Sequence, residues 1–300
     1  LLEEVTVPNM IVVVAAMTAG SAFLMWVGEQ ITENGVGNGI SIVLLINIVS
    51  TIPDDFVNLY RQFIQGQTIL NGVLAAVIIL AVILLTVIFV IVLQGGERRI
   101  PVQYAKKVQG RKMVGGQSTN IPLKVNTSGV IPVIFASSLM SFPGVIAALA
   151  GYTGGDSIGA HILTGLSQSS WCNPDQPIYS LGLLLYIILV VFFAYFYTSI
   201  TFNPIEISNN MKRQGGFIPG IRPGKPTTEY LSKILNYIVF VGAVGLIIVC
   251  IIPIFFSGMF GANVSFGGTS IIIIVGVILE TLKQIESQML VRYYKGFLND

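Results

Sequence analysis

The sequence predicts an all-α, polytopic membrane helical bundle with seven transmembrane helices, and three observations carry that prediction. Hydrophobic residues make up 53% of the 300 and charged residues only 10%, against roughly 25% charged in water-soluble domains, and the mean hydropathy is +0.80. Seven apolar runs approach or exceed the length a helix needs to cross a bilayer, about 20 residues. The sixteen Lys and Arg residues fall almost entirely in alternate loops between those runs, the asymmetry that sets orientation in membranes.

Taken in order, the first run covers 8–27. The second, 40–52, stops at Pro53 and is short for a span, so it must borrow flanking residues or start within a cavity. The third, 69–93, is the clearest: its Ile, Leu, Val and Phe residues, at about −0.4 kcal/mol each, supply an insertion term of about −8 kcal/mol. The fourth, 129–150, carries Pro132 and Pro143, which mark a kinked helix able to hinge. The fifth, sixth and seventh are 178–202, 234–257 and 268–290.

Two loops on the basic face have structure of their own. In 94–127, Ile100, Val102 and Tyr104 alternate, as do Ile121, Leu123 and Val125, and a strand has that period. The glycine-rich basic stretch 108–116 lies between them, so a hairpin with a cationic tip is expected. In 203–233, a helix from Pro204 to Arg213 leads into a turn from Gly215 to Gly224, with a second helix after Thr227. Prolines and glycines flank Arg222, a setting that holds a guanidinium at a fixed place for a carboxylate or phosphate partner.

Seven crossings put fifteen of the sixteen basic residues on one face, Arg61 beside Asp54 and Asp55 being the exception. That face is expected to be cytoplasmic, with residue 1 outside and residue 300 inside. The chain opens Leu1-Leu2-Glu3-Glu4 with no initiator Met and reads as the continuation of something longer.

Several chemistries are poorly supported. Ion-coupled transport needs ionisable groups at membrane depth, and the first six runs hold no Asp, Glu, Lys, Arg or His. Glu280 in the seventh has Lys283 three residues on, a spacing that pairs them on one face near the inner interface. His161 has no ligand-spaced companions for a metal. Ser137, Ser138 and Ser141 have no base inside the membrane to activate them. Cys172 and Cys250 sit at different levels of the membrane. No catalytic residue, metal or cofactor is predicted, and the chain is not expected to be an enzyme.

The second and seventh runs open alike, with Asn38-Gly39-Ile40-Ser41-Ile42 against Gly267-Gly268-Thr269-Ser270-Ile271, yet they run in opposite directions. Matching glycine-broken starts in two halves suggest an inverted repeat around a central pathway.

These residues also carry a resemblance. The stretch from Gly28 to Ser41, Arg98 to Lys106, Gln117 to Thr119 with Pro122 to Asn126, Phe217 to Gly224, and Phe266 to Ser270 together resemble the SecY family in order and spacing, over essentially the whole chain. The resemblance implies a ten-helix, inverted-repeat clamshell, of which the seven runs match helices four to ten. It divides the chain into 1–60, the last two helices of an amino-terminal half, and 61–300, a carboxy-terminal half with docking loops 94–127 and 203–233.

It further implies a general protein-export channel in the bacterial plasma membrane. Such a channel conducts unfolded preproteins and releases hydrophobic segments sideways into lipid, with the fourth and fifth runs as one wall of the gate. By position, Ile40, Leu44, Ile134 and Ile273 match the family's apolar pore ring, Leu44 standing where isoleucine is usual. Arg98, Arg99, Lys106, Lys107, Arg111, Lys112, Arg222 and Lys225 lie in the loops that resemble the docking surface for the SecA motor or the ribosome. Further partners implied are the small subunits SecE and SecG, the preprotein with its signal peptide, and the bilayer. The first three helices of the pattern are missing. The rival reading, a substrate-specific permease, should show ionisable or amide clusters facing a small solute, and none is evident.

Overall fold

The computed structural model describes residues 7–65, 69–104, 107–109, 112–114, 118–150, 158–172, 177–260 and 268–296. In chain order its elements begin with the helices α1 (Val7–Asn34), α2 (Gly39–Phe63) and α3 (Ile69–Gly95). The strands β1 (Glu97–Tyr104), β2 (Lys107–Gln109), β3 (Lys112–Val114) and β4 (Ser118–Lys124) follow. Then come α4 (Ile131–Leu149), α5 (Ile158–Leu166), α6 (Leu181–Thr201), α7 (Pro204–Arg213), β5 (Gly216–Phe217), α8 (Lys225–Phe260) and α9 (Gly268–Gly296). Among the described residues seven helices are long and apolar enough to cross a membrane, and each overlaps one of the seven runs.

The second run is not short in the structure. α2 continues through Pro53 to Phe63, so the flanking residues complete the span. Proline removes one backbone donor, the helical partner of the Val49 carbonyl, and two hydroxyls bond to the carbonyls just before that one. Here Ser50 Oγ donates to the Asn47 carbonyl at 2.7 Å and Thr51 Oγ1 to that of Ile48 at 2.9 Å.

The chain forms two compact units, one made of the residues up to Phe56 with those from Ile273 onward, the other of Val57–Ile272. In the first, α1 and α2 meet at a tight turn. Gly37 has φ +93°, a conformation other residues rarely adopt. Asn38 Oδ1 then accepts from the backbone N–H groups of Ile40 (3.1 Å) and Ser41 (3.3 Å), capping α2. A Cβ at Gly37 would meet Thr281 Oγ1 at 3.1 Å, so the turn lies against α9.

In the second unit, α4 packs on α6 and α6 on α8. The buried stripe of α6 is Gly182, Tyr186, Val190, Ala194 and Thr198, one residue per turn or nearly so. Ala194 and Ala243 let α6 and α8 approach beside Leu235 and Val239, the small-residue packing expected where lipid tails give helices no hydrophobic reason to associate.

In this unit α5 and two short turns form a cap centred on Trp171, which is fully buried. Its indole Nε1 donates to the Gly165 carbonyl at 2.7 Å, and its ring lies 5.4 Å from that of Tyr186. A Cβ at Gly182 or Gly258 would collide with Trp171 or its carbonyl. His161, expected in a loop, is on α5, with Nδ1 and Tyr179 Oη 2.7 Å apart.

Candidate docking surface and apolar pathway residues

The basic side of the second unit is a small folded domain. β1 pairs antiparallel with β4, Ile100 opposite Ile121 and Val102 opposite Thr119. The predicted alternation holds along β1, where Ile100 and Val102 are buried while Arg99, Pro101 and Gln103 are exposed. Val125 falls one residue beyond β4, and its N–H donates to the Gly96 carbonyl at 2.8 Å.

The other edge of β1 pairs with β5, Gln103 opposite Phe217 and Tyr104 opposite Gly216. Ile100, Val102 and Leu123 therefore share one core with Met211 of α7, with Ile218, and with Leu231, Ile234 and Ile238 of α8. The two basic loops are one domain. α8, running about 54 Å at 1.5 Å per residue, both crosses the apolar layer and contributes its first turns to this core.

The predicted docking cations lie as follows. Arg98 and Arg99 are exposed on β1, Arg99 at 4.0 Å from Glu97, an exposed contact worth little energetically. Lys107 and Lys112 are on the paired strands β2 and β3. Lys106 and Arg111 lie outside the described residues. Arg222 and Lys225 are exposed where the second loop enters α8, which begins two residues before Thr227.

The Arg222 turn is fixed on both sides. Gly220 and Gly224 have φ +82° and +105°, and the Ile221 N–H donates to the Ile218 carbonyl at 3.0 Å. Two buried hydroxyls hold the carbonyls of the turn: Thr227 Oγ1 donates to Arg222 O at 2.9 Å and Ser208 Oγ to Gly224 O at 3.0 Å. The Gly224 carbonyl also accepts the N–H groups of Thr227 (3.0 Å) and Thr228 (3.1 Å). The guanidinium itself pairs with no carboxylate among the described residues. Sequence reasoning found the stiff turn from its prolines and glycines but missed Ser208 and Thr227. A serine or threonine is uninformative until its acceptor is seen.

The four residues expected in the apolar ring sit at helix beginnings. Ile40 and Leu44 share a face of α2 one turn apart and are 55% and 50% exposed; Ile134, two residues after the buried Pro132, is 44% exposed on α4. Ile273 is half-buried in the second turn of α9. Ile40, Leu44 and Ile273 belong to the first unit and Ile134 to the second.

The two glycine starts are alike in their packing as well as their sequence. A Cβ at Gly39 would fall on the Gly28 carbonyl of α1, and one at Gly268 on the Val249 carbonyl of α8. Gly39 N donates to Thr32 Oγ1 at 2.9 Å, and that hydroxyl donates to Gly28 O, also at 2.9 Å. Each helix thus begins backbone to backbone on its predecessor.

Glu280 and Lys283 are both exposed on α9. No cluster of three His, Cys, Asp or Glu suited to a metal occurs among the described residues.

The SecY family pattern matches residues 3–282. The protein translocase subunit SecY of Streptomyces galbus is 46% identical over 96% of this chain, and that of Mycobacterium leprae 42% identical over 99%. The chain spans 63% and 66% of those two relatives. Among solved structures, one described as a protein conducting channel has a TM-score of 0.58 at 21% identity, covering 90% of this chain and 63% of that one. Sec61 in a canine ribosome–channel complex from the endoplasmic reticulum has a TM-score of 0.56 at 20% identity, with the same coverages. These likenesses extend to the fold, and the seven apolar helices make the chain a multi-pass membrane protein.

Proposed function

The chain belongs to the SecY family, and from that membership we propose that it is the pore-forming part of a general protein-export channel in the bacterial plasma membrane. In this reading residues 1–60 end an amino-terminal half and 61–300 form the carboxy-terminal half. The basic face is cytoplasmic, as is the carboxy terminus. Unfolded preproteins pass at the waist, and hydrophobic segments leave sideways along α4 and α6. Chemistry is not required of the channel: its task is to accommodate an extended chain while withholding ions.

The observation that carries the proposal is the paired helix starts. α2 and α9 each open on a glycine pressed to the previous helix, and Ile40, Leu44 and Ile273 follow within two turns. Family membership assigns these residues, and Ile134 by position, to an apolar constriction, which disfavours water and hydrated ions in the manner of hydrophobic gates. The basic domain carrying Arg98, Arg99, Lys107, Lys112, Arg222 and Lys225 is the docking surface for the SecA motor or the ribosome, with Lys106 and Arg111 assigned to it by position. SecE and SecG complete the assembly.

Site-specific photocrosslinking tests this. With a preprotein stalled halfway, probes at Leu44, Ile134 and Ile273 should capture the precursor, and a probe at Leu80, an exposed residue of α3, should capture lipid. Precursor at Leu80 and lipid at the other three would reject the pathway.

A further inference from the structure

Hydroxyls on the helices of this chain mostly serve their own helix. Thr86 donates to Val82 O, Thr198 to Ala194 O and Thr281 to Val277 O, each four residues back. Such bonds satisfy a hydroxyl locally and fix nothing else.

Ser208 and Thr227 depart from that habit. Ser208 is on α7, yet its hydroxyl reaches the carbonyl of Gly224, sixteen residues on. Thr227 is in the first turn of α8 and reaches back beyond the helix to the carbonyl of Arg222. Both are almost fully buried, 1% and 2% exposed, while the Arg222 side chain between their two acceptors is in solvent. A buried hydroxyl that lost its acceptor would keep its desolvation penalty, so these bonds resist any displacement of the turn.

We propose that Thr227 and Ser208 are positioning residues that hold residue 222 in place from behind, one from each helix flanking the turn. This rests on the docking role proposed above for Arg222. The two bonds fix the carbonyls on either side of Pro223, so the Cα of Arg222 is set by α7 and α8 together rather than by the turn alone. A guanidinium binds a carboxylate or phosphate well only when its planar fork arrives already oriented. The hydroxyls supply that orientation without touching the partner.

The test uses the full-length chain in lipid nanodiscs, with purified bacterial ribosomes as the binding probe. Thr227→Val keeps the shape and removes the donor. It should weaken ribosome binding about 3- to 10-fold, the range one hydrogen bond commands, and Thr227→Ser should restore it. In an Arg222→Ala background, Thr227→Val should cause no further loss, because the threonine acts only through the arginine. Equal losses in both backgrounds, or no loss from Thr227→Val where Arg222→Ala does weaken binding, would overturn the inference.

A second measurement needs no partner. A nitroxide on Arg222→Cys should give a visibly narrower spectrum when Thr227→Val or Ser208→Ala is added. An unchanged spectrum would overturn the clamp. If Arg222→Ala binds ribosomes as the unaltered chain does, docking of the ribosome through Arg222 falls, and the nitroxide spectra alone decide whether the hydroxyls fix residue 222.

Discussion

Gly216 sits opposite Tyr104 in the antiparallel pairing of β5 with β1, and a Cβ on this glycine would stand 2.9 Å from the tyrosine ring. The pairing and the shared core together join two loops far apart in the sequence into one basic domain. Gly216→Val should force the ring aside and cost about 1–3 kcal/mol, as overpacking does. The expected result is a lowered thermal midpoint with faster proteolysis inside 94–127 and intact spans. Protection unchanged from the parent would show that the shared core alone holds the loops together.

That junction also marks the limit of what the sequence discloses. The seven spans were legible because apolar length is a local property, and the β1–β4 hairpin because alternation is. β5 has two residues and therefore no period, and its partner is distant, so nothing local announces it. The continuation of α2 past Pro53 was hidden by a residue that usually ends helices. Nothing in the sequence around Trp171 announces that it is buried. Its burial depends on Gly182 and Gly258, two glycines far apart in the chain where a Cβ would strike the tryptophan or its carbonyl.

The cap gives a second prediction. Trp171 is fully buried and its indole N–H is bonded to Gly165, so Trp171→Ala leaves a large void and an unpaired carbonyl. About 3–5 kcal/mol should be lost. Yield and thermal stability should fall together, while Trp171→Phe, which keeps most of the volume, should recover part of both. Full stability of the alanine variant would mean the cap contributes nothing to the unit.

Orientation is tested by thiol labelling. Cys172 is half-buried in the cap, whereas Cys250 is buried in α8. A membrane-impermeant maleimide added outside should label Cys172 and spare Cys250. A cysteine replacing Gly110 should label only from the cytoplasmic side. Labelling of both positions from one side would invert or break the topology.

Docking is tested by charge reversal at Arg222, whose side chain is exposed and pairs with no carboxylate among the described residues, while its backbone is held by buried hydroxyls. Arg222→Glu should leave insertion and abundance unchanged, since nothing packed is altered, yet it should abolish most export by repelling an acidic or phosphate partner. Export of a secretory precursor into inverted vesicles is the measurement. Normal export would reduce Arg222 to one of the charges that merely orient the helices.

Under the proposed function, the idle channel must hold back ions although it admits a polypeptide, and this sets the most demanding prediction. Leu44 is half exposed on α2 and Ile273 half-buried on α9, so neither is a core residue whose loss should unfold the chain. If they line a constriction, Leu44→Ser with Ile273→Ser places two hydroxyls where water was disfavoured, and the barrier to hydrated ions falls. Resting conductance in planar bilayers should rise severalfold, and precursors with defective signal sequences should pass more readily, because the closed state has lost part of its stabilisation. If instead the two residues face lipid or packing partners, hydroxyls there cost insertion or packing energy and open no path. That alternative gives lower abundance and an unchanged conductance. The two readings therefore differ in the sign of one electrical measurement. A well-assembled double variant that conducts no more than the parent would exclude Leu44 and Ile273 from the pathway.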